Sequence, residues 1–444
     1  MTMIVRGALW FGLYLFLILL PLATALIAAP SRVAPSFTVE LGVGAGFVGL
    51  ALMCLEFALI SRTKAAAQAF GEDSLQLFHN LMGMVALLFL VAHPILLIVA
   101  GYPASCWLNP FAACANAATR TAALALYVLI LLVALSVWRK KLGIKYELWQ
   151  VTHGLFALLI LLAAMVHIFI LGRYTTTPIM KAVWLVYAIL VTILLLRYKI
   201  VIPILNWNKT WEVVENRKER GDSRTLVLKP VGHAGYSFQP GQFAWLKTGR
   251  TPFGLGQHPI SMSSAGDVEP GSEVRFTIKN LGDWSGQEVP ALKPGHTMWL
   301  DGPHGVFSMD REQGMGYIFV GGGIGITPLS SMLQTMVERE DVRPVLLFYG
   351  GSDLDNLTFR EELDELAGQM NLQIIYVLTD PPEDWEGETG YVTAGMMKRY
   401  LPKQFKRFIY FVCGPEPMMD AMEEALPELG IPPQNVHTER FDMV

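Results

Sequence analysis

Six runs of about 20 mostly apolar residues occupy the first 200 positions, at 8–28, 39–60, 77–100, 120–138, 149–171 and 179–198. At 1.5 Å per residue each matches the bilayer's hydrocarbon thickness of about 30 Å, so each is expected to be a membrane-spanning helix. From about residue 205 the pattern becomes polar and alternating. WEVVENRKERGDSRTLVLKP has the form of a hairpin; GQFAWL, HPISMSS, EVRFTIKN and TMWLDGP follow as short strands parted by turn residues. That spacing predicts a small antiparallel β-barrel. At residue 317 the pattern switches again, to YIFVGGGIGITPLSSMLQTMV and then to VLLFYGG, FREELDELAG, LQIIYVLTD and FIYFVCGPEPMMDAMEEAL. Strands alternating with helices predict an α/β doubly wound sheet. The expected architecture is therefore multi-domain: an all-α six-helix transmembrane bundle over 1–204, an antiparallel β-barrel over 205–312 and an α/β doubly wound nucleotide-binding domain over 313–444.

Composition agrees with a split chain. It is 52% hydrophobic and 16% charged, against about 25% charged in an average soluble chain. The first run follows Arg6 and ends among Ala23, Ala25, Ala28 and Ala29, features shared with a signal peptide. Its apolar length exceeds a typical signal core, which favours an uncleaved helix. Cations concentrate in connections 61–76 and 139–148 (Arg62, Lys64, Arg139, Lys140, Lys141, Lys145) and after the sixth run (Arg197, Lys199). The opposite connections hold only Arg32, Arg120, Arg173 and Lys181. The positive-inside rule then puts both termini and the soluble half on the cytoplasmic side of a multi-pass protein in the inner (cytoplasmic) membrane, surrounded by lipid. Net charge is -4 with no basic cluster, so no nucleic-acid partner is expected. Cys106 and Cys114 lie on the outer side, where they either pair or are two unrelated small residues. Cys54 is expected only to pack, and Glu56 to reach the interface rather than take part in chemistry.

Two of the apolar runs carry histidines at one interval. HNLMGMVALLFLVAH begins at His79 and ends at His93; HGLFALLILLAAMVH begins at His153 and ends at His167. Ionisable groups are costly inside a bilayer and mark function by default. Fourteen residues fall only about 40° short of four helical turns, so both histidines of a helix face one side, about 21 Å apart. The third and fifth spans run in the same direction, which sets His79 level with His153 and His93 level with His167. Two imidazoles facing across a bundle suit the axial positions of a six-coordinate haem, and small neighbours such as Gly83, Ala86, Gly154 and Ala157 leave room for it. A zinc site or a proton pathway would also use histidines, but would favour close clusters and mid-membrane acids, which these helices lack.

In the soluble half, Gly321, Gly322, Gly323 and Gly325 form a strand-to-helix turn, and Pro328 suits a first helical turn. Such a turn lets backbone amides approach a pyrophosphate, although many strand-to-helix turns are glycine-rich without doing so.

His258-Pro259-Ile260-Ser261, Gly322-Gly323-Ile324-Gly325-Ile326-Thr327-Pro328 and Cys413-Gly414-Pro415 occur in the order seen in ferredoxin–NADP reductase-like flavoproteins. Joined to six spans with two histidine pairs, the chain resembles the ferric reductase and NADPH oxidase family of transmembrane flavocytochromes, of bacterial type. The resemblance implies FAD, two haems b and NADPH or NADH as cofactors. It places Ser261 and its neighbours near the flavin ring, and Lys279, Gly282, Trp284 and Ser285 around the FAD pyrophosphate. Asp301-Gly302-Pro303-His304-Gly305 would close the flavin domain. Gly322 to Pro328 would take the nicotinamide dinucleotide, Cys413 would lie near the nicotinamide, and Phe441 would cover the flavin. Each residue also has a plainer role: strand position for Ser261, buried filler for Cys413, packing for Phe441.

The implied activity is electron transfer from cytoplasmic NAD(P)H through FAD and two stacked haems to an acceptor on the outer face. That acceptor is oxygen, giving superoxide, or a ferric or cupric chelate. Oxygen-reducing relatives carry a further histidine one turn past the outer ligand, where this chain has Leu97. Ser352-Asp353-Leu354-Asp355 after the strand VLLFYGG suits a free ribose hydroxyl and hence NADH, although Arg360 is near enough in sequence to meet a phosphate. A different class stays open: an electron-delivering membrane subunit that reduces a partner protein or a quinone. A transporter using the four histidines is a third.

Overall fold

The computed structural model describes residues 3–28, 36–171, 174–254 and 256–441. Arg32 and Arg173, singled out above for topology, lie outside them. The chain divides into two compact units, residues 1–70 with 74–202, and residues 71–73 with 203–444.

The first unit is helical: α1 (Met3–Ala28), α2 (Phe37–Leu59), a short α3 (Lys64–Phe70), α4 (Glu72–Val99), a short α5 (Ala104–Leu108), α6 (Ala117–Val137), α7 (Tyr146–Leu171) and α8 (Pro178–Leu196). Six of these are long and apolar enough to cross a membrane, at the six places the apolar runs predict. Local chemistry starts two of them. Asn116 Oδ1 accepts from Thr119 N at 2.9 Å to cap α6, and Thr177 caps α8 with Pro178 in its first turn. The outer faces expose Leu, Ile, Val and Phe, as lipid contact requires. α2 is the exception: from Phe47 to Phe57 every residue is buried. Its small residues permit that central place. A Cβ at Gly49 would lie only 2.7 Å from Leu90 Cγ of α4.

A four-residue α9 (Ile202–Leu205) leads into the second unit. There β1 (Thr210–Glu219), β2 (Ser223–Val231), β3 (Phe243–Lys247), β4 (His258–Ser261), β5 (Val274–Lys279) and, after the one-turn α10 (Val289–Ala291), β6 (Thr297–His304) form an antiparallel sheet of order β4-β3-β6-β1-β2-β5. Inward-facing Trp211, Val213, Leu226, Leu228 and Phe276 fill its core. β1 and β2 are the expected hairpin, turning at Gly221 and Asp222, both of positive φ.

Next come β7 (Tyr317–Gly322), α11 (Ile326–Glu338), β8 (Val345–Gly351), α12 (Arg360–Ala367), β9 (Leu372–Leu378), β10 (Glu388–Thr389), α13 (Ala394–Tyr400), β11 (Ile409–Gly414), α14 (Glu416–Glu428) and β12 (Val436–Arg440). The sheet is parallel, in the order β10-β9-β8-β7-β11-β12. The chain moves outward from β7 in one direction, then returns to place β11 on its other side. The topological switch point therefore lies between the carboxyl ends of β7 and β11, where ligands of doubly wound sheets bind.

Candidate functional site

In the membrane unit the four histidines meet in two pairs. The rings of His79 and His153 have centroids 6.2 Å apart, and those of His93 and His167 are 6.4 Å apart. Both pairs join α4 to α7, level with level, as the shared interval requires.

Hydrogen bonding sets the tautomers. His93 Nδ1 lies 2.8 Å from Gly42 O, and His167 Nδ1 lies 2.8 Å from Ala118 O. A carbonyl only accepts, so each Nδ1 carries its proton and donates, leaving Nε2 with a lone pair. His153 Nδ1 lies 3.1 Å from Ser136 Oγ. That hydroxyl donates to Leu132 O at 2.8 Å, so toward His153 it accepts. His79 Nδ1 meets Oε2 of Glu56. Glu56 is thus buried against an imidazole, which corrects the expectation that it reaches the interface; α2's central position turns this acid inward.

The geometry suits one metal between each pair. Imidazole nitrogens bind metal at about 2.0 Å, and a ring centroid lies about 1.1 Å behind its nitrogen, which gives about 6.2 Å between centroids. Around His93 and His167 the bundle leaves two apolar cavities of about 90 and 100 Å³. One extends toward Ala122, Leu126 and Leu129 of α6, the other toward Val43, Gly46 and Phe47 of α2. A flat macrocycle needs such space on both sides of the imidazole axis. Gly46 keeps it open, since a Cβ there would lie 2.9 Å from His93 Nδ1. Among the described residues no group of three or more His, Cys, Asp or Glu is placed to hold a bare metal ion. Beyond this end of the bundle Cys106 and Cys114 are disulfide-bonded, with Cα atoms 5.3 Å apart. Trp107, between them, lines the cavity on the α6 side.

In the second unit two of the three sequence motifs meet at the switch point, and the third, His258 to Ser261, lies on β4 of the antiparallel sheet. Gly321 and Gly322 end β7, and Cys413 and Gly414 end the neighbouring β11. The glycines have different reasons to be there. A Cβ at Gly325 would lie 2.2 Å from Cys413 O, and one at Gly322 would lie 2.7 Å from Met418 Sδ. These two serve close packing. Gly323, at φ +53°, has only Lys279 Nζ near its Cβ position, at 3.9 Å. It is the glycine whose backbone stays open to a ligand, and Lys279 supplies a cation beside it. Thr327 closes the turn by donating to Ile324 O at 3.0 Å, and Pro328 lies buried in the first turn of α11. Pro415 precedes α14 and accepts from Met418 N at 2.9 Å.

Ser261 ends β4, buried, and its Oγ has no hydrogen-bond partner among the described residues. Pro259 and Ile260 pair with Trp245 and Ala244 of β3. The His258 ring stacks on Trp284 at 3.9 Å, and Trp284 Nε1 donates to Thr248 Oγ1. Trp284 is therefore mostly buried, while Ser285 Oγ accepts from Leu281 N and Gly282 N and shapes the exposed turn. Cys413 is fully buried, and burial pushes its thiol well above the usual range, so it stays protonated. Phe441 is half-buried against the core that contains Phe307 and Phe411.

Two features here had no sequence signal strong enough to single them out. α11 is buried on its polar side as well: Ser331 Oγ donates to Ser264 O at 2.6 Å, Gln334 Nε2 to Ser263 O at 2.9 Å, and Gly266 N to Thr335 Oγ1 at 2.8 Å. This locks the segment after β4 onto the helix that follows the glycine turn. Glu439, opposite Cys413 in β12, is also buried; its Oε2 has no hydrogen-bond partner among the described residues, and burial raises its carboxyl well above the ordinary range. An acid amid TERF reads locally as a surface strand residue.

Residues 45–164 match the ferric reductase like transmembrane component, and residues 319–424 match the oxidoreductase NAD-binding domain. The two matched segments give the chain a ferric reductase-like membrane part and an NAD-binding oxidoreductase part. Its second unit resembles a ferredoxin–NADP reductase-like module, and the chain spans about half the length of several of the curated relatives it matches. The chain is 35% identical over 147 residues to NADH-cytochrome b5 reductase 1 of Debaryomyces hansenii, covering 32% of this chain and 52% of that protein. It is 29% identical over 230 residues to ferredoxin–NADP reductase B of Sorangium cellulosum, covering 49% and 91%. Over 228 residues it is 32% identical to the reductase component of propane 2-monooxygenase of Rhodococcus jostii, covering 50% and 60%. Among solved structures, the flavohemoglobin of Malassezia yamatoensis aligns with 92% of this chain and 99% of its own at 16% identity and a TM-score of 0.50, a likeness of fold alone.

Proposed function

We propose that this ferric reductase-like protein carries electrons from cytoplasmic NADH or NADPH across the cytoplasmic membrane to a small acceptor on the outer face. The observation that carries the reading is the double histidine pair. Both pairs have ring spacings that admit one metal, and His93, His167 and His153 each commit Nδ1 to a neutral acceptor, leaving Nε2 for it. His79 and His153 would hold one haem b; His93 and His167 would hold the other. Bound at these sites, two haems and FAD supply the conversion of a hydride's two electrons into single-electron transfers.

The chain's own residues do the rest. Ser261, whose buried hydroxyl has no partner among the described residues, would hydrogen-bond the flavin ring; Lys279 and the open backbone of Gly323 would receive pyrophosphate; Phe441 would cover the flavin. Gly414 and Pro415 shape the nicotinamide pocket beside Cys413, which as a neutral thiol shapes and does not attack. Residues 205–312 act as the flavin-binding part and 313–444 as the nicotinamide-binding part. Each histidine pair would hold its metal from two sides, and the bound groups would supply single electrons to a small acceptor, oxygen or a ferric or cupric chelate. Asp353 caps its own turn, accepting from Asn356 N at 2.9 Å, and Asp355 pairs with Arg220. Neither acid is held toward a ribose, so NADPH stands level with NADH.

A second reading, delivery to a partner protein, is favoured by the likeness to a monooxygenase reductase component. Two measurements on the purified full chain separate these readings. A dithionite-reduced spectrum without b-type bands refutes the haem assignment. Anaerobic stopped-flow with NADH against NADPH, followed by oxygen or ferric chelate, finds the donor and shows whether a partner is required.

A further inference from the structure

The four Nδ1 partners are not alike. His93 and His167 bond peptide carbonyls, and His153 bonds a hydroxyl. His79 alone meets a carboxylate, that of Glu56 on α2, and both side chains are largely buried. Three acceptors are neutral and one can carry a full charge, at one pair only. In a low-dielectric interior such a charge acts strongly at contact and weakly at the other pair, about 21 Å along the helices.

The charged pair sits at one defined end of the bundle. Arg197, just past α8, donates from Nη1 to Ser61 O at 3.3 Å. Ser61 follows α2 shortly after Glu56, so the polypeptide leaves the bundle at the Glu56–His79 end. The neutral pair lies at the opposite end, beside Thr175 and the cavity lined by Trp107.

We infer that Glu56 is a positioning residue that gives transmembrane electron transfer its direction, by holding the His79/His153 centre at a lower reduction potential than the His93/His167 centre. The inference rests on the two-haem reading above. Oxidised iron carries one more positive charge than reduced iron, so a neighbouring carboxylate favours the oxidised state. A carboxylate drawing on Nδ1–H also makes the imidazole a stronger donor to the metal, which acts in the same sense. Entry at low potential and exit at higher potential makes the step downhill from the His79/His153 centre to the His93/His167 centre.

The test is potentiometric titration of the full-length protein in detergent, read by absorbance and by electron paramagnetic resonance, for wild type and Glu56→Gln. Glutamine keeps an acceptor and removes the charge. The expected result is two haems bound in both proteins, with the lower midpoint raised in the variant by at least a tenfold change in equilibrium constant, which for one electron is about 59 mV. The higher midpoint stays in place, and the g-values of one low-spin signal shift. Unchanged midpoints, a shift of the higher one alone, or equal shifts of both overturn the inference. If Glu56→Gln loses haem, Glu56→Asp, which retains the charge, must hold both haems and the low midpoint; failure there shows a merely structural role and overturns it too. Wild type with fewer than two haems instead removes the parent reading, whatever the variants do.

Discussion

His93 and His167 face each other from α4 and α7 with ring centroids 6.4 Å apart, each with its Nδ1–H given to a main-chain carbonyl on a third helix. The carbonyls of Gly42 and Ala118 thereby aim both rings before any metal arrives. On the proposed reading, His93→Ala and His167→Ala each remove one haem and leave the His79/His153 centre. Pyridine haemochrome analysis should then give about half the wild-type haem, and the double variant no less than either single one. Graded, additive losses would show that the two histidines do not share a metal.

Gly46 makes a sharper test of the same site. Replacing a helical glycine by alanine ordinarily stabilises by about 1 kcal/mol. Here the new Cβ would lie 2.9 Å from His93 Nδ1, an atom of a rigid ring tied to Gly42 O. Overpacking of that kind costs about 1–3 kcal/mol and should win. Gly46→Val is expected to lower the melting temperature and to deplete the outer haem selectively, with flavin content unchanged. A variant as stable as wild type and fully loaded would show that the ring has room to move.

Much of this architecture could be seen in the chain before folding. The six spans, the level pairing of histidines and the motif-bearing strand ends follow from periodicities of 3.6 and 2 and from one repeated interval. What could not be seen depends on neighbours distant in sequence. Glu56 looks like an interfacial acid because a single helix does not reveal that α2 will stand at the bundle's centre. Gly325 resembles a phosphate-loop glycine, yet Cys413 O, 88 positions later, is what excludes its side chain. Ser331 and Thr335 look like a solvated helix face, and only the docking of the Ser263–Gly266 segment buries them. The unpartnered hydroxyl of Ser261 belongs to the same class, since a motif names the residue but not its missing partner.

That hydroxyl predicts a kinetic effect. If Ser261 Oγ hydrogen-bonds bound flavin, Ser261→Ala removes one neutral bond of about 1–1.5 kcal/mol, roughly tenfold in rate if it is felt at the transition state. Stopped-flow flavin reduction by NADH or NADPH should slow by about that factor or more, with flavin still bound. Cys413→Ala, which alters the shape of the pocket and no charge, should slow it less. Equal rates for Ser261→Ala and wild type would leave the serine a strand residue only.

His437 sets an acid limit on stability. Its ring stacks on Phe411 with centroids 5.2 Å apart, and burial, with the Arg311 charge nearby, lowers its pKa from 6.5 to about 4. The folded chain therefore keeps this imidazole neutral while the unfolded chain takes up a proton below about pH 6.5. Its contribution is fully present above that pH, drains away as the pH falls toward 4, and changes no further below. The whole effect amounts to about 3 kcal/mol at most. His437→Phe keeps an aromatic ring against Phe411 and has nothing to protonate. Thermal unfolding of the full-length protein in detergent, run from pH 7.5 to pH 4.5, should show the wild type losing ground to the variant progressively below about pH 6.5. Parallel curves for the two proteins would mean that water reaches His437 and that its proton equilibrium is the same folded and unfolded.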